Sequence, residues 1–223
     1  MTRHLTRFLR PLLCAWVLAA AGLASAGSYE DFFNGIKQDN PQEVKELLIR
    51  GFDPNTVDPK NQAGLHLAIK EPSLKVAQVL AEWPKTDVNK LNAQGESALM
   101  LAALKGYFQV AEQLVQRSAD VNKTGWTPLH YAASGGQLKI IAMLLENHAY
   151  IDAESPNGTT PLMMAAMYGS TAAVQLLLQE GADTKIKNQR GLTALNFAQQ
   201  ANRPDAVQAI AIAIKSKQSA GQW

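Results

Sequence analysis

A segment of about ten residues recurs along the chain at intervals near 33 residues, and this repeat constrains the fold more than any other feature. Its two best copies are Thr127-Pro-Leu-His-Tyr-Ala-Ala-Ser-Gly-Gly and Thr160-Pro-Leu-Met-Met-Ala-Ala-Met-Tyr-Gly. Weaker copies begin at Ala63, Ser97 and Thr193. A unit of this size cannot bury a core alone, so successive units must stack on one another. The sequence therefore predicts an elongated array rather than a compact globule.

Each copy predicts a first helix, and a second helical pattern follows it. Ile140, Leu144 and Leu145, for example, fall on one face of such a second helix. A turn of small and polar residues, such as Gly181-Ala-Asp, then closes the unit. One leucine in each copy anchors the first helix in the core. These leucines, spaced by 34, 30, 33 and 33 residues, are Leu65, Leu99, Leu129, Leu162 and Leu195.

The ends of the first helices carry recognisable capping residues. A threonine hydroxyl at the N-cap accepts from the first free amides, and proline suits the next position because no amide hydrogen is needed there. Glycine at the C-terminal end of these helices predicts a left-handed backbone conformation, which a β-carbon disfavours. These roles are predicted for the threonines Thr127 and Thr160, the prolines Pro128 and Pro161, and the glycines Gly106, Gly135 or Gly136, and Gly169.

The order and spacing of these motifs resemble the ankyrin repeat, over residues from about 29 to 215. The resemblance implies an all-α solenoid of about six helix pairs, elongated and curved. It also implies that the histidines after the anchor leucines, His66 and His130, brace one repeat against the next rather than bind metal. The expected ankyrin repeat domain, residues 27–223, divides into an N-terminal capping repeat at about 29–58, repeats at about 59–91, 92–122, 123–154 and 155–187, and a C-terminal capping repeat at about 188–215.

The second repeat departs from the pattern. Ala63 and Gly64 stand where threonine and proline belong, and Pro72 replaces the usual glycine. Because alanine at an N-cap costs about 1 kcal/mol, we expect this repeat to be the least stable.

The link before Trp126 is the second departure. Between Asn122 and Gly125 only Lys123 and Thr124 remain, where the other links hold five residues. Trp126 follows directly, at a position that usually faces the binding groove in ankyrin proteins. Two interpretations stay open: an exposed hot spot for a partner, or an indole that packs on the neighbouring turn.

Ankyrin proteins bind other proteins on a concave face built from turn tips and first helices, so the resemblance implies an unidentified protein partner. The face mixes aromatic residues, Met and Leu with few charges, as interface cores do. Met167 also fits inter-repeat packing, so Tyr168 is the stronger candidate of that pair. The expected contact positions are Gln94, Glu96, Leu104, Lys105, Thr124, Trp126, Ser134, Asn157, Thr159, Met167, Tyr168, Arg190, Leu192 and Gln200.

Residues 1–26 have the form of a secretory signal peptide. A basic segment ends at Pro11, an apolar run covers residues 12–23, and Ala24-Ser-Ala predicts cleavage after Ala26. An uncleaved anchor is the alternative. Cys14, the only cysteine, would leave with the leader. We therefore expect a periplasmic, monomeric protein that does not contact the membrane after cleavage.

The mature chain offers no basis for nucleic-acid binding or catalysis. Removing the three leader arginines from the 21 basic residues leaves 18 against 19 acidic residues, so no excess of positive charge would attract nucleic acid. We find no phosphate-binding glycine loop, metalloprotease motif or nucleophile elbow. The expected function is therefore protein–protein interaction without cofactors or metals. The alternative is an inhibitor or immunity-type protein that blocks a toxic or lytic enzyme.

Overall fold

The computed structural model describes residues 27–220, with side chains to residue 216, so the predicted leader lies outside the described residues. Within this range twelve helices form six consecutive pairs. The helices are α1 (described over residues 27–37), α2 (Pro41–Ile49), α3 (Gly64–Lys70), α4 (Leu74–Glu82), α5 (Ala98–Lys105), α6 (Phe108–Gln116), α7 (Pro128–Gly135), α8 (Leu138–Glu146), α9 (Pro161–Met167), α10 (Thr171–Gln179), α11 (Ala194–Gln200) and α12 (Pro204–Ala220).

The pairs stack side by side in two layers. The odd-numbered helices from α3 to α11 contact one another in order and form the inner layer, and the even-numbered helices from α2 to α12 form the outer layer. Alanine at the inner contacts lets the helices approach closely; Ala132, Ala133 and Ala165 are completely buried between them. The prediction of an all-α solenoid of about six helix pairs is confirmed.

The inner helices begin with the N-cap residues that the sequence predicts. The Thr127 and Thr160 hydroxyls each accept from a backbone N–H three residues later, at 3.4 Å, and a proline occupies the first turn of both helices. Gly106 and Gly136 adopt the left-handed conformation, with φ of +77° and +67°. The predicted left-handed glycines are therefore confirmed at these two positions.

Gly169 has a different role from the one predicted. It does not adopt a left-handed conformation, because α9 ends at Met167 and Tyr168 serves as the C-cap with φ of −120°. A β-carbon at Gly169 would lie 2.2 Å from the carbonyl oxygen of Ala133 in the preceding repeat. Glycine is needed here because two repeats approach too closely for a side chain.

The links between repeats form fingers, each running from an outer helix to the next inner helix. The tip of a regular finger is closed by a backbone hydrogen bond between residues four apart, of 2.9 to 3.0 Å. Its first side chain, Asn92 for example, also accepts from backbone N–H groups within the tip. The fingers closed in this way span residues 58–62, 92–96, 155–159 and 188–192.

The finger between α6 and α7 lacks this closed tip. Its sequence omits the residues equivalent to Leu91, Asn92 and Ala93, and with them the side chain that would cap the tip. The chain passes from Asn122 to Trp126 through Lys123, Thr124 and Gly125, with Gly125 at φ of +87°. The link between α6 and α7 is therefore three residues shorter than the regular fingers on either side, and it leads directly into Trp126.

The second repeat lacks several of the contacts that stabilise its neighbours. Ala63 provides no side-chain cap for α3, and the buried Nδ1 of His66 has no hydrogen-bond partner. In the fourth repeat Thr127 fills both roles. Pro72 lies at φ of +24°, away from the value near −65° that its ring favours.

We expect Ala63→Thr to raise the stability of the second repeat by about 1 kcal/mol, because it restores the cap and a hydroxyl for His66. Amide hydrogen exchange is the measurement. In the wild type, the amide hydrogens of α3 should exchange faster than those of α7 and α9. In the variant, this difference in exchange rate should be smaller. Ala93→Thr, which adds the same side chain at an exposed finger position, is the control. Equal protection of α3, α7 and α9 in the wild type would contradict the prediction.

Candidate functional site

The concave face comprises the exposed side of the inner helices and the adjoining finger tips. Most of the positions that the sequence singled out for partner contact are accessible there. Glu96, Trp126, Ser134, Met167 and Leu192 are half-buried. The exposed positions are Gln94, Leu104, Lys105, Thr124, Asn157, Tyr168, Arg190 and Gln200.

Thr159 is the exception and corrects the sequence prediction. Its residue surface is only 2% exposed, so its side chain cannot contact a partner in this conformation. The Thr159 carbonyl also accepts a hydrogen bond from His130 of the preceding repeat at 2.8 Å. Thr159 holds two repeats together, and its side chain is not part of the accessible surface.

A cleft of about 200 Å³ opens on the concave face beside the shortened finger. We call it the Trp126 cleft. It combines residues from three consecutive repeats, and most of its walls are aromatic or apolar. Trp126, Ser134 and Leu104 were expected at the surface from the sequence, whereas the other lining residues were not. The lining consists of Leu104, Trp126, His130, Tyr131, Ser134 and Met164.

Trp126 forms one wall of this cleft. Its ring contacts His130 of the same repeat edge to face, with centroids 5.2 Å apart and an interplanar angle of 76°. The indole is half-buried, so part of it remains available in the cleft. The aromatic partner of Trp126 is thus a residue of its own repeat, and the indole also lines the cleft.

His130 forms the floor of the cleft and is structural. Nε2 donates to the Thr159 carbonyl at 2.8 Å, and Nδ1 accepts from the Thr127 amide at 3.2 Å and lies 2.9 Å from the Thr127 hydroxyl. These contacts select the neutral tautomer with its proton on Nε2. Burial lowers the pKa of His130 to about 4. The prediction that His130 braces adjacent repeats is confirmed, and His66 does the same by contacting the Glu96 carbonyl at 3.2 Å.

Glu96 lies next to the cleft and is held by two hydrogen bonds. One carboxylate oxygen accepts from the Tyr131 hydroxyl at 3.0 Å, and the other accepts from the Asn92 amide at 2.8 Å. Burial, together with the hydrogen bond and the negative charge of Glu96, raises the pKa of Tyr131 to about 12. A fixed negative charge therefore lies at the edge of an otherwise uncharged cleft.

A row of side chains beneath the fingers fixes their spacing, and sequence analysis missed it. Asn55 donates to the Lys85 carbonyl and accepts from the Asp87 amide of the next finger, at 2.9 and 2.8 Å. Asn89 and Asn122 repeat this two-way bridge, and Asp152, which cannot donate, only accepts. The signal was available, because these residues occupy equivalent positions in successive repeats.

A larger hollow, of about 490 Å³, lies at the N-terminal end between α1 and the finger at residues 58–62. Its walls carry charges of both signs, including Glu30, Lys37, Asp58 and Lys60. It is open and contains none of the expected contact residues. Its size is therefore a weaker guide to function than the composition of the Trp126 cleft.

Within residues 27–220, no cluster of His, Cys, Asp or Glu side chains is suited to hold a metal ion. No helix in this range has the length and apolar character needed to cross a bilayer.

Comparison with known families identifies repeats over almost all of the described chain. A family model described as ankyrin repeats matches three times, over residues 33–124, 65–155 and 149–219. The overlapping matches run through both ends of the helix stack.

Curated relatives share the repeats over part of their length. The rat ankyrin repeat and SAM domain-containing protein 6 is 31% identical over 109 residues, which cover 47% of this chain and 12% of the relative. The probable 26S proteasome regulatory subunit p28 of Saccharomyces cerevisiae is 36% identical over 105 residues, or 44% of this chain and 46% of the relative. The chain thus spans less than half of either relative.

Two solved structures match over most of both chains. One is a chain from the complex of the Bd0816 predatory endopeptidase of Bdellovibrio bacteriovorus with the immunity protein Bd3460, with a TM-score of 0.70 and 28% identity over 82% of this chain and 97% of that chain. The other is the ankyrin repeat protein EF0377, with a TM-score of 0.71 and 25% identity over 81% and 96% of the two chains.

Proposed function

The chain belongs to the ankyrin repeat family, a family of protein-interaction modules, and from this premise we propose that it binds a protein partner through its concave face after export to the periplasm. The observation that carries the proposal is the Trp126 cleft, since the shortened finger leaves aromatic and apolar side chains accessible at the centre of that face. Aromatic residues and methionine are enriched, and charges are depleted, in the buried centres of protein interfaces.

Tyr168 extends this surface into the next repeat. It is 63% exposed and is the C-cap residue of α9, the inner helix that also carries Met164 of the cleft. Large exposed aromatic side chains are typical of hot spots, where a few residues provide most of the binding energy. Trp126 and Tyr168 are therefore the two side chains that we expect a partner to cover.

A capture experiment tests this surface. The mature chain, immobilised, is exposed to a periplasmic extract of its host, and bound proteins are identified by mass spectrometry. We expect the double variant Trp126→Ala plus Tyr168→Ala to lose the partner that the wild type captures.

The matched control is Tyr150→Ala. Tyr150 is an exposed tyrosine like Tyr168, with 69% of its surface accessible, but it lies in the turn after α8 and does not line the cleft. This variant should capture the partner as the wild type does. Equal capture by the double variant would reject the concave face as the binding surface.

Export is a separate part of the proposal, based on the leader-like residues 1–26. The periplasmic fraction should contain a chain whose N-terminal sequence begins at Gly27. A membrane-bound chain that retains residues 1–26 would instead support the uncleaved anchor.

Inhibition of a lytic enzyme is the second candidate function. It is favoured by the match to the complex of a predatory endopeptidase with its immunity protein, which extends over nearly all of the matched chain. If this candidate is correct, the purified mature chain inhibits a captured peptidase at one-to-one stoichiometry, and the double variant does not. Capture of a partner without effect on its activity would favour simple binding.

A further inference from the structure

We propose that the Trp126 cleft receives an arginine side chain of the partner, with its apolar stem against the cleft walls and its guanidinium at the Glu96 carboxylate. This inference rests on the proposed function, since it names the chemistry that the concave face recognises. It follows from three features of the cleft: uncharged walls, one fixed carboxylate at the edge, and an opening made by the shortened finger.

The cleft walls can contact both the aliphatic part and the planar guanidinium of an arginine side chain. Leu104 and Met164 provide apolar surface, and Trp126 and Tyr131 provide aromatic rings on which a guanidinium can stack. A volume of about 200 Å³ corresponds to one inserted side chain rather than a segment of backbone.

Glu96 supplies a negative charge that is already oriented. Each of its carboxylate oxygens accepts one hydrogen bond, from Tyr131 or from Asn92, and this leaves acceptor capacity on both oxygens. The planar guanidinium presents paired N–H donors that match a carboxylate, whereas a lysine ammonium does not. Arginine is therefore the cationic side chain that this pair of oxygens fits best.

Four nearby basic side chains are directed elsewhere or carry no charge; one of them, Lys90, donates to the Asn55 carbonyl at 2.9 Å. His130 is neutral, since both ring nitrogens are engaged. The ammonium of Lys105 lies 6.0 Å from the Tyr107 ring, and that of Lys123 donates to the Thr124 carbonyl at 3.1 Å. The Glu96 carboxylate, by contrast, contacts the cleft wall directly through Tyr131.

Small-molecule probes test the assignment without the partner. N-acetyl-arginine-N-methylamide is titrated into the mature ¹⁵N-labelled protein, and the indole N–H signal of Trp126, identified with Trp126→Phe, is followed. The probe N-acetyl-citrulline-N-methylamide has nearly the same shape but no charge. We expect the arginine probe to bind about five to ten times more tightly than the citrulline probe.

Two variants locate the source of the discrimination. Glu96→Gln should abolish the preference for the arginine probe over the citrulline probe. Glu112→Gln, which removes an exposed carboxylate on the outer helix α6, should preserve the preference. Circular dichroism verifies that both variants remain folded.

Equal affinities of the two probes, or a preference that survives Glu96→Gln, would overturn the arginine assignment. The capture experiment separates this outcome from failure of the proposed function. If the probes give either of these results but the double variant still loses its partner, the concave face binds a partner through a group other than arginine. If the double variant also retains its partner, both proposals are rejected.

Discussion

Between pH 6.5 and pH 4, the free energy of unfolding should fall by about 3 kcal/mol through His130 alone. In the folded chain His130 is buried and neutral, and its burial lowers its pKa from 6.5 to about 4. In the unfolded chain the same imidazole is hydrated and takes up a proton near its ordinary pKa. As the pH falls, the unfolded chain therefore takes up a proton before the folded chain does, and this favours unfolding.

The direction of this effect follows from the two pKa values. The contribution is fully present above pH 6.5, declines as the pH falls, and is lost near pH 4, where the folded chain is protonated too. Burial also lowers the pKa of His66, so the second repeat contributes in the same direction.

Urea denaturation at a series of pH values measures the effect. His130→Gln keeps an amide that can donate to the Thr159 carbonyl but cannot be protonated in this range, so its stability should depend less on pH. His148→Gln, which removes an exposed histidine from a turn, is the matched control. Identical pH profiles for His130→Gln and the wild type would show that burial of His130 does not govern acid stability.

Gly169→Ala should destabilise the protein by about 3 kcal/mol, at the upper end of the cost of overpacking. The added methyl group would lie 2.2 Å from the Ala133 carbonyl oxygen and 2.9 Å from the Cα of Ala165. Both obstacles are backbone atoms and cannot rotate away. The two repeats would have to separate, and the α7–α9 contact would weaken.

Gly181→Ala provides a control that separates crowding from backbone conformation. Gly181 has a φ of +100°, but a β-carbon there meets nothing within 4 Å. Its replacement should cost about 1 kcal/mol, the usual penalty for a left-handed residue with a side chain. Urea denaturation compares the two. If Gly169→Ala costs no more than Gly181→Ala, close approach is not the reason for glycine at position 169.

Sequence reasoning predicted the helices well because their causes are local. A capping threonine acts on an amide three residues away, and a helical face repeats within a single turn, so both are visible in a short window. The brace at His130 was predicted from family resemblance, and its partner across the repeat boundary is now identified as the Thr159 carbonyl. Thr159 itself was wrongly assigned to the accessible surface, because the stacked repeats bury it.

The Trp126 cleft was only partly predictable, because its walls come from different repeats. One signal was available: the second residue after each anchor leucine lies on the inner helix, and this position holds Tyr131 in the fourth repeat and Met164 in the fifth. Tyr131 and Met164 line the cleft, whereas the equivalent Leu101 is buried. Which of these positions is accessible depends on the neighbouring finger, and that is a property of the stacked structure.

Restoring the missing finger tests the central claim, that the shortened finger opens the Trp126 cleft for a partner. Inserting Leu-Asn-Ala, the sequence of Leu91 to Ala93, between Lys123 and Thr124 would give this finger the closed tip of its neighbours. We predict a folded protein, at least as stable as the wild type, whose affinity for the captured partner is reduced about tenfold or more because the tip covers the cleft. A folded insertion variant that binds the partner with wild-type affinity would contradict the claim.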